Sequence, residues 1–282
     1  MMGKICSKCH VDKELDEYYK TTRNISGVRE SCILCVKDYN KSQNIKRKDD
    51  NYIKKHKYFF DENFFEKIDN EEKAYFLGFI FADGCVTNDP KKYRNRVTLK
   101  LHTKDKHILD SFIKSINGEM SVWKHGQREM VEVSFSSKKT VNDLINLGVI
   151  PNKTFTLQYP TIIETLEKHF LRGYFDGDGC IRINEDKRDN SKRGDLRIVS
   201  GSLDMLNKIN ERMNVLFGTN INKLYGPKDK DYRYIGWAGM TDIEKIYHGF
   251  YDDSILFLNR KRIIFDEVIE TIKNKQKYRK KQ

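Results

Sequence analysis

Two stretches of the chain are apolar almost without interruption over a helical length. Ala74-Tyr75-Phe76-Leu77-Gly78-Phe79-Ile80-Phe81-Ala82 runs into Asp83-Gly84, and His169-Phe170-Leu171-Arg172-Gly173-Tyr174-Phe175-Asp176-Gly177 runs into Asp178-Gly179. A helix with apolar groups around its circumference must be buried, so both are predicted to be central helices. Each ends at Asp-Gly, as expected if the glycine closes the helix in the left-handed conformation, and hands over to a strand. Behind the first, residues 97–102 alternate as a half-buried strand, and 105–116 form a helix with Ile108, Leu109, Phe112, Ile113 and Ile116 on one face. Strands at 120–123 and 130–136 follow, then a helix over 141–147 that stops at Gly148. The second stretch is followed by strands at 180–183 and 196–200, a helix over 203–217, strands at 220–224 and 232–238, and a helix over 242–250. Each half therefore reads αββαββα, an α+β class. Ahead of the first half, Phe59, Phe60, Phe64, Phe65 and Ile68 mark one further helix docked on it.

The two halves are a repeat. Gly78, Asp83, Gly84 and Cys85 recur as Gly173, Asp178, Gly179 and Cys180, 95 positions on. Gly78 with Ala82, and Gly173 with Gly177, put small residues four apart on one helix face, which lets two helix backbones approach closely. The helices are predicted to pack on each other and to deliver Asp83 and Asp178 to the same end. That arrangement is unfavourable alone, since two helix C-termini point their negative ends at two mutually repelling carboxylates. A divalent cation would relieve it. Lys100 and Arg197, 97 positions apart, are expected at matching strand positions, and Cys85 and Cys180 are expected to be small buried hydrophobes.

Charge narrows the partner. Lys and Arg number 53 against 41 Asp and Glu, a net charge of +12 with a pI near 9.2, so a polyanion is expected. No apolar run approaches the roughly 20 residues of a membrane span, and the N-terminus lacks the apolar segment of a secretory signal. The protein is expected to be intracellular, with reduced thiols. Cys6, Cys9, Cys32 and Cys35 form two C-x2-C pairs, the pattern of a four-thiolate Zn²⁺ site whose metal would supply the folding energy of a module at 1–36. Residues 37–72 begin as a basic stretch, with Lys46, Arg47, Lys48, Lys54 and Lys55 interleaved with tyrosines, and read as a helix or extended linker on phosphates. Basic loops carry Arg94 and Arg96 in the first half and Lys187, Arg188, Lys192 and Arg193 in the second. If one face of each sheet takes its helices, the other stays open. Two such sheets about an approximate twofold form a saddle over double-stranded DNA, because a β-ribbon fits the major groove. Lys100, Arg128, Arg197 and Arg233 are the candidate base contacts, and the basic end after Lys273 is a further DNA-contacting extension.

The paired segments Phe76 to Gly84 and Leu171 to Gly179 closely resemble the double-motif LAGLIDADG homing endonucleases, and the surrounding elements match over roughly 71–272. The resemblance implies the saddle fold in two repeats, 73–160 and 161–282, within a monomer that acts as a pseudo-dimer. It implies that Asp83 and Asp178 bind catalytic Mg²⁺. Lys153 and Lys261 resemble the lysines that enter near the scissile phosphate, although Arg260 is an alternative to Lys261. Phe81, in place of a frequent Asp, and Leu77 and Arg172, in place of small residues, depart from the pattern; none falls on the metal-binding position, and Arg172 is expected to point outward. The implied activity is Mg²⁺-dependent cleavage of both strands of a long asymmetric DNA site. A non-cleaving binder on the same fold, an RNA maturase or a transcriptional regulator, is the rival.

Overall fold

The computed structural model describes residues 3–22, 24–42, 58–89, 91, 94–126, 129–186 and 191–279. The chain divides into two compact units, 1–58 and 59–282. In the first, β1 (Gly3–Ile5) pairs antiparallel with β2 (Asp12–Glu14), and β3 (Tyr18–Lys20) with β4 (Val28–Cys32). A helix over 33–42 follows, α1. The core of this unit is small: Cys6, Tyr18, Val28 and Cys32. So little buried apolar surface calls for a cross-link or a metal.

In the second unit the central helices form where the apolar runs predict them. Helix α2 (Glu71–Asp83) starts at Asn70, whose side chain accepts from the Lys73 N–H at 3.0 Å, and Ala74 to Phe81 are buried without a break. It is followed by β5 (Gly84–Asp89), β6 (Arg94–His102), α3 (Lys106–Ser115), β7 (Trp123–Lys124), β8 (Met130–Phe135) and α4 (Lys138–Asn146). The strands make an antiparallel sheet in the order β5-β6-β8-β7. Val86, Val97, Leu99, Leu101, Val131, Val133 and Phe135 face the core. Their neighbours along each strand stand on the open face, as the strand period of two requires.

The second half repeats this with α5 (Glu164–Asp178), β9 (Gly179–Asp186), β10 (Ser191–Ser200), α6 (Leu203–Phe217), β11 (Arg233–Trp237) and α7 (Met240–Tyr251), then adds a long α8 (Asn259–Arg279). Its sheet has three strands, β11-β10-β9. The strand expected at 220–224 does not form. Asn222 instead donates its side-chain amide to the Gly236 carbonyl at 3.0 Å, and the Trp237 indole donates to the Asn220 carbonyl at 3.2 Å. Side chains thus satisfy part of what a ladder would satisfy, and one bridge remains, Tyr225 to Tyr234. The expected helix at Phe59 to Ile68 is likewise a series of turns, which sinks Phe64, Phe65 and Ile68 into the core and leaves Phe59 outside. Among the described residues no helix is long and apolar enough to cross a membrane.

Candidate functional site

Helices α2 and α5 touch along their backbones. A methyl group built on Gly78 would fall onto the Phe170 carbonyl oxygen and lie 2.8 Å from the Tyr174 nitrogen; one on Gly173 would fall onto the Tyr75 carbonyl oxygen and lie 3.0 Å from the Phe79 nitrogen. Glycine is required at both positions by space. The same holds at the helix ends, which corrects the reading of Gly84 and Gly179 as left-handed caps. Their φ angles are −74° and −92°, in extended backbone. A side chain at Gly84 would meet the Ile80 carbonyl oxygen at 2.7 Å, and one at Gly179 would meet the Phe175 ring at 2.7 Å or closer.

Both helices end at their acid, so Asp83 and Asp178 emerge together. A Cβ on Gly177 would stand 3.4 Å from Asp83 Oδ2. Partial burial raises the Asp178 pKa to about 6, with the charge on Asp83 adding to the effect; burial raises Asp83 too, opposed by Lys261, Lys153 and Arg260. Two lysines close the helix ends. Lys153 Nζ donates to the Ala82 carbonyl at 3.1 Å, and the buried Lys261 Nζ donates to the carbonyls of Phe175 at 2.6 Å, Asp176 at 2.8 Å, Gly177 at 3.4 Å and Gly179 at 2.5 Å. These cations meet the orphan carbonyls and the negative dipole ends, so the chain's own lysines supply part of the relief expected of a metal. Burial lowers the Lys261 pKa to about 8 and lowers that of Lys153 as well. Arg260 is committed elsewhere: its Nε donates to both carboxylate oxygens of the buried Asp105, at 3.1 and 3.0 Å.

The surroundings of α5 hold a second correction. Arg172 does not point outward but is fully buried. It donates to Glu71 at 2.5 Å, to the carbonyls of Phe250 and Leu256 at 2.8 Å each, and meets His169 Nδ1 at 3.0 Å. Four acceptors on separate segments make burial of the charge tolerable. Asp176 is buried as well, its Oδ2 accepting from the Tyr75 hydroxyl and the Leu258 N–H at 2.8 Å each. Phe81, its counterpart in α2, packs edge-on against Phe170 at 5.2 Å.

The strands of the two sheets carry several of the remaining candidates. Arg94 and Arg96 are exposed on β6, with Lys100 beside Glu132; Lys192 and Arg193 are exposed on β10. Arg197 is held by Asp195, at 3.0 Å from Nε to Oδ1. Arg233 does not reach outward: its Nη1 donates to the carbonyls of Pro227, Lys230 and Tyr232, which ties down the 226–232 loop. Lys46, Arg47, Lys48, Lys54, Lys55, Arg128, Lys187 and Arg188 lie outside the described residues. The pairing of Gly84 with Leu99 and of Gly179 with Ile198 makes Thr98, and not Lys100, the counterpart of Arg197. The error came from aligning sequence across loops of unequal length. Cys85 and Cys180 are exposed on the open faces, opposite Thr98 and Arg197, because the glycine before each points at the helix. Sequence reasoning missed Asp105, Arg182 and Asp195, whose partners lie on other elements; an acid set among basic strand residues was the only signal for Asp195.

In the first unit, the sulfurs of Cys6, Cys9, Cys32 and Cys35 lie within 4.8 Å of one another. Cys6 Sγ accepts from the N–H groups of Lys8 at 3.4 Å and Cys32 at 3.2 Å. A tetrahedral Zn²⁺ with bonds of about 2.3 Å needs four sulfurs roughly 3.8 Å apart, and N–H donors to sulfur favour thiolates, so the four residues fit that ion.

Residues 165–248 match the LAGLIDADG-like domain family. No curated protein sequence matches the chain. Among solved structures, the meganuclease I-SmaMI bound to uncleaveable DNA with a TTGT central four shares 14% identity at a TM-score of 0.52, over 74% of this chain and 91% of its own. The same meganuclease on uncleaveable DNA with a TTCT central four shares 15% at 0.53, over 72% and 91%. The I-LtrWI LAGLIDADG homing endonuclease bound to target DNA shares 15% at 0.52, over 73% and 92%. The second half thus matches the LAGLIDADG-like domain family, and the chain shares the fold of these LAGLIDADG meganucleases.

Proposed function

We propose that the protein is a site-specific double-strand DNA endonuclease of the homing type. One observation carries the reading: two acids from separate halves emerge side by side from helix ends that lysines of the same chain have already neutralised. A structural pair of acids would need no such preparation. Asp83 and Asp178 would hold Mg²⁺, which when bound supplies an activated water and stabilises the leaving 3′ oxygen. Burial, with the charge on Asp83 adding to it, raises the Asp178 pKa to about 6, and burial raises that of Asp83, a cost of placing two carboxylates together that a bound cation would relieve. Lys153 and Lys261 hold the helix ends in place, and Lys153, the more accessible, stands where it can steady charge on the attacked phosphate. The open faces of the two sheets, with Arg94, Arg96, Lys100, Arg193 and Arg197, would lie along the duplex, with Lys192 exposed at the start of β10 on the other side of the strand, and the chain would work inside the cell as a monomer. The module at 1–36, holding Zn²⁺, and the basic stretch at 37–72 would lengthen the footprint and add affinity more than base discrimination.

The test is cleavage of a plasmid library carrying candidate sites, with and without Mg²⁺. Asp83→Asn and Asp178→Asn should each abolish double-strand cleavage while duplex binding persists. A mutant that cuts both strands at the unmutated rate refutes the assignment. Tight duplex binding by the unmutated chain with no cleavage under any divalent metal would establish the non-cleaving binder instead.

A further inference from the structure

The open face of the second sheet carries a network that the endonuclease chemistry does not use. Asp195 stands on the solvent side of β10, yet it is only 7% exposed, because two guanidinium groups cover it. Arg182, its cross-strand partner on β9, donates from Nε and Nη2 to Oδ2 at 2.8 and 2.7 Å. Arg197, two residues along β10, donates from Nε to Oδ1 at 3.0 Å and brings Nη2 to 2.8 Å from Oδ2. Asn184 adds a bond to Oδ2 at 3.2 Å, and the Arg197 guanidinium lies over the Tyr234 ring at 4.8 Å.

Both arginines present the same edge, Nε with Nη2, to one carboxylate. Among the described contacts, the outer edge of each guanidinium, one N–H of Nη1 beside the second N–H of Nη2, takes no part in the network. Two N–H donors at that edge match the O6 and N7 acceptors that guanine shows in the major groove, the commonest specific arginine contact to DNA. An arginine held by a carboxylate and a ring has already lost the rotamer freedom that docking would otherwise remove, so its discrimination between bases is realised in full. A solvated pair on a flat surface would not need a buried acid between two cations.

The position fits. Arg197 pairs with Cys180, which directly follows Gly179. Arg182 lies four residues past Asp178, roughly 13 Å along a strand, or about four base-pair steps. Among the described residues, the matching positions of the first half carry no such network. They are Thr87, Arg96 and Thr98, with the Thr98 and Ser134 hydroxyls 3.0 Å apart and no acid opposite Arg96.

On the duplex-DNA reading, on which this inference rests, we propose that Arg182 and Arg197, held by Asp195, form a guanine-reading fork. It marks the half-site under the second sheet and so orients the protein on its asymmetric target. Asp195 is a positioning residue, and Arg182 and Arg197 are specificity determinants.

The test is equilibrium selection of sites by the full chain from a random duplex pool, with calcium in place of magnesium. The selected motif should carry guanine at one or two positions within about four base pairs of its centre, on one side only. Arg197→Lys keeps the charge and loses the planar fork; it should reduce the guanine preference at one of those positions roughly 10- to 100-fold and leave the rest of the motif unchanged. Asp195→Asn should weaken the preference at both. Arg197→Lys should melt as the unmutated chain does, which separates reading from folding. A motif without guanine there, or one that both variants preserve, overturns the fork alone. A chain that neither selects a motif nor binds random duplex overturns the proposed function and the fork with it.

Discussion

Lys261 and Lys153 close two equivalent helix ends, but with unequal commitments, and replacing each by methionine should expose the difference. The Lys261 ammonium is buried and holds four carbonyls from 175 to 179; Lys153 holds one and is more accessible. Methionine keeps the length and the apolar stem of lysine. In Lys261→Met the carbonyls at the end of α5 lose their donor, and buried Asp176 loses its strongest opposite charge. Each orphaned buried acceptor costs about 1–3 kcal/mol, and breaking a buried ionic contact about 3–5 kcal/mol. The two overlap, so about 3–5 kcal/mol is expected for Lys261→Met against about 1 kcal/mol for Lys153→Met. In a unit of this size that corresponds to a fall in Tm of roughly 6–20 °C for the first and about 2–4 °C for the second. Urea unfolding at fixed pH, followed by circular dichroism, measures both. Equal losses would refute the argument, as would a Lys261→Met protein as stable as the parent.

Three further outcomes follow from the same geometry. Asp178, with a pKa of about 6, binds a proton more tightly folded than unfolded, so folding stability should fall as pH rises from about 4 to 6; Asp178→Asn should therefore abolish cleavage yet raise stability at pH 7 by about 1–2 kcal/mol after solvent screening, a gain that disappears below pH 4 in a pH-resolved melting series. Gly78→Ala forces a methyl group onto the Phe170 carbonyl and should cost at least about 3 kcal/mol, whereas Gly126→Ala, where no atom lies within 4 Å, costs only the strain of its φ of +34° and should be far milder by urea denaturation. A disulfide reagent should titrate Cys85 and Cys180 rapidly in the folded zinc-loaded protein and reach Cys6, Cys9, Cys32 and Cys35 only after a chelator is added; four slow thiols without added zinc would count against a metal there.

The sequence by itself determined the architecture around α2 and α5. Helices apolar on every side can only be central, Gly and Ala four apart can only be a close contact, and an acid before each helix-ending glycine must come out at the same end. These are local facts, carried by residue type and spacing, and a duplicated pattern doubles their weight. The cysteine spacing was legible for the same reason. What only the tertiary structure decided lies in partners distant along the chain. Arg172 is inside because Glu71, Phe250 and Leu256, all far from it in sequence, converge on it. Cys85 and Cys180 face solvent because the preceding glycines are pressed against their helices, and that sets the parity of the strands. Arg233 folds back on its own loop, and Asp195 gathers two arginines that no periodicity links. A charge is placed by whichever opposite charge or carbonyl it can reach in space, and that information exists only once the chain has closed on itself.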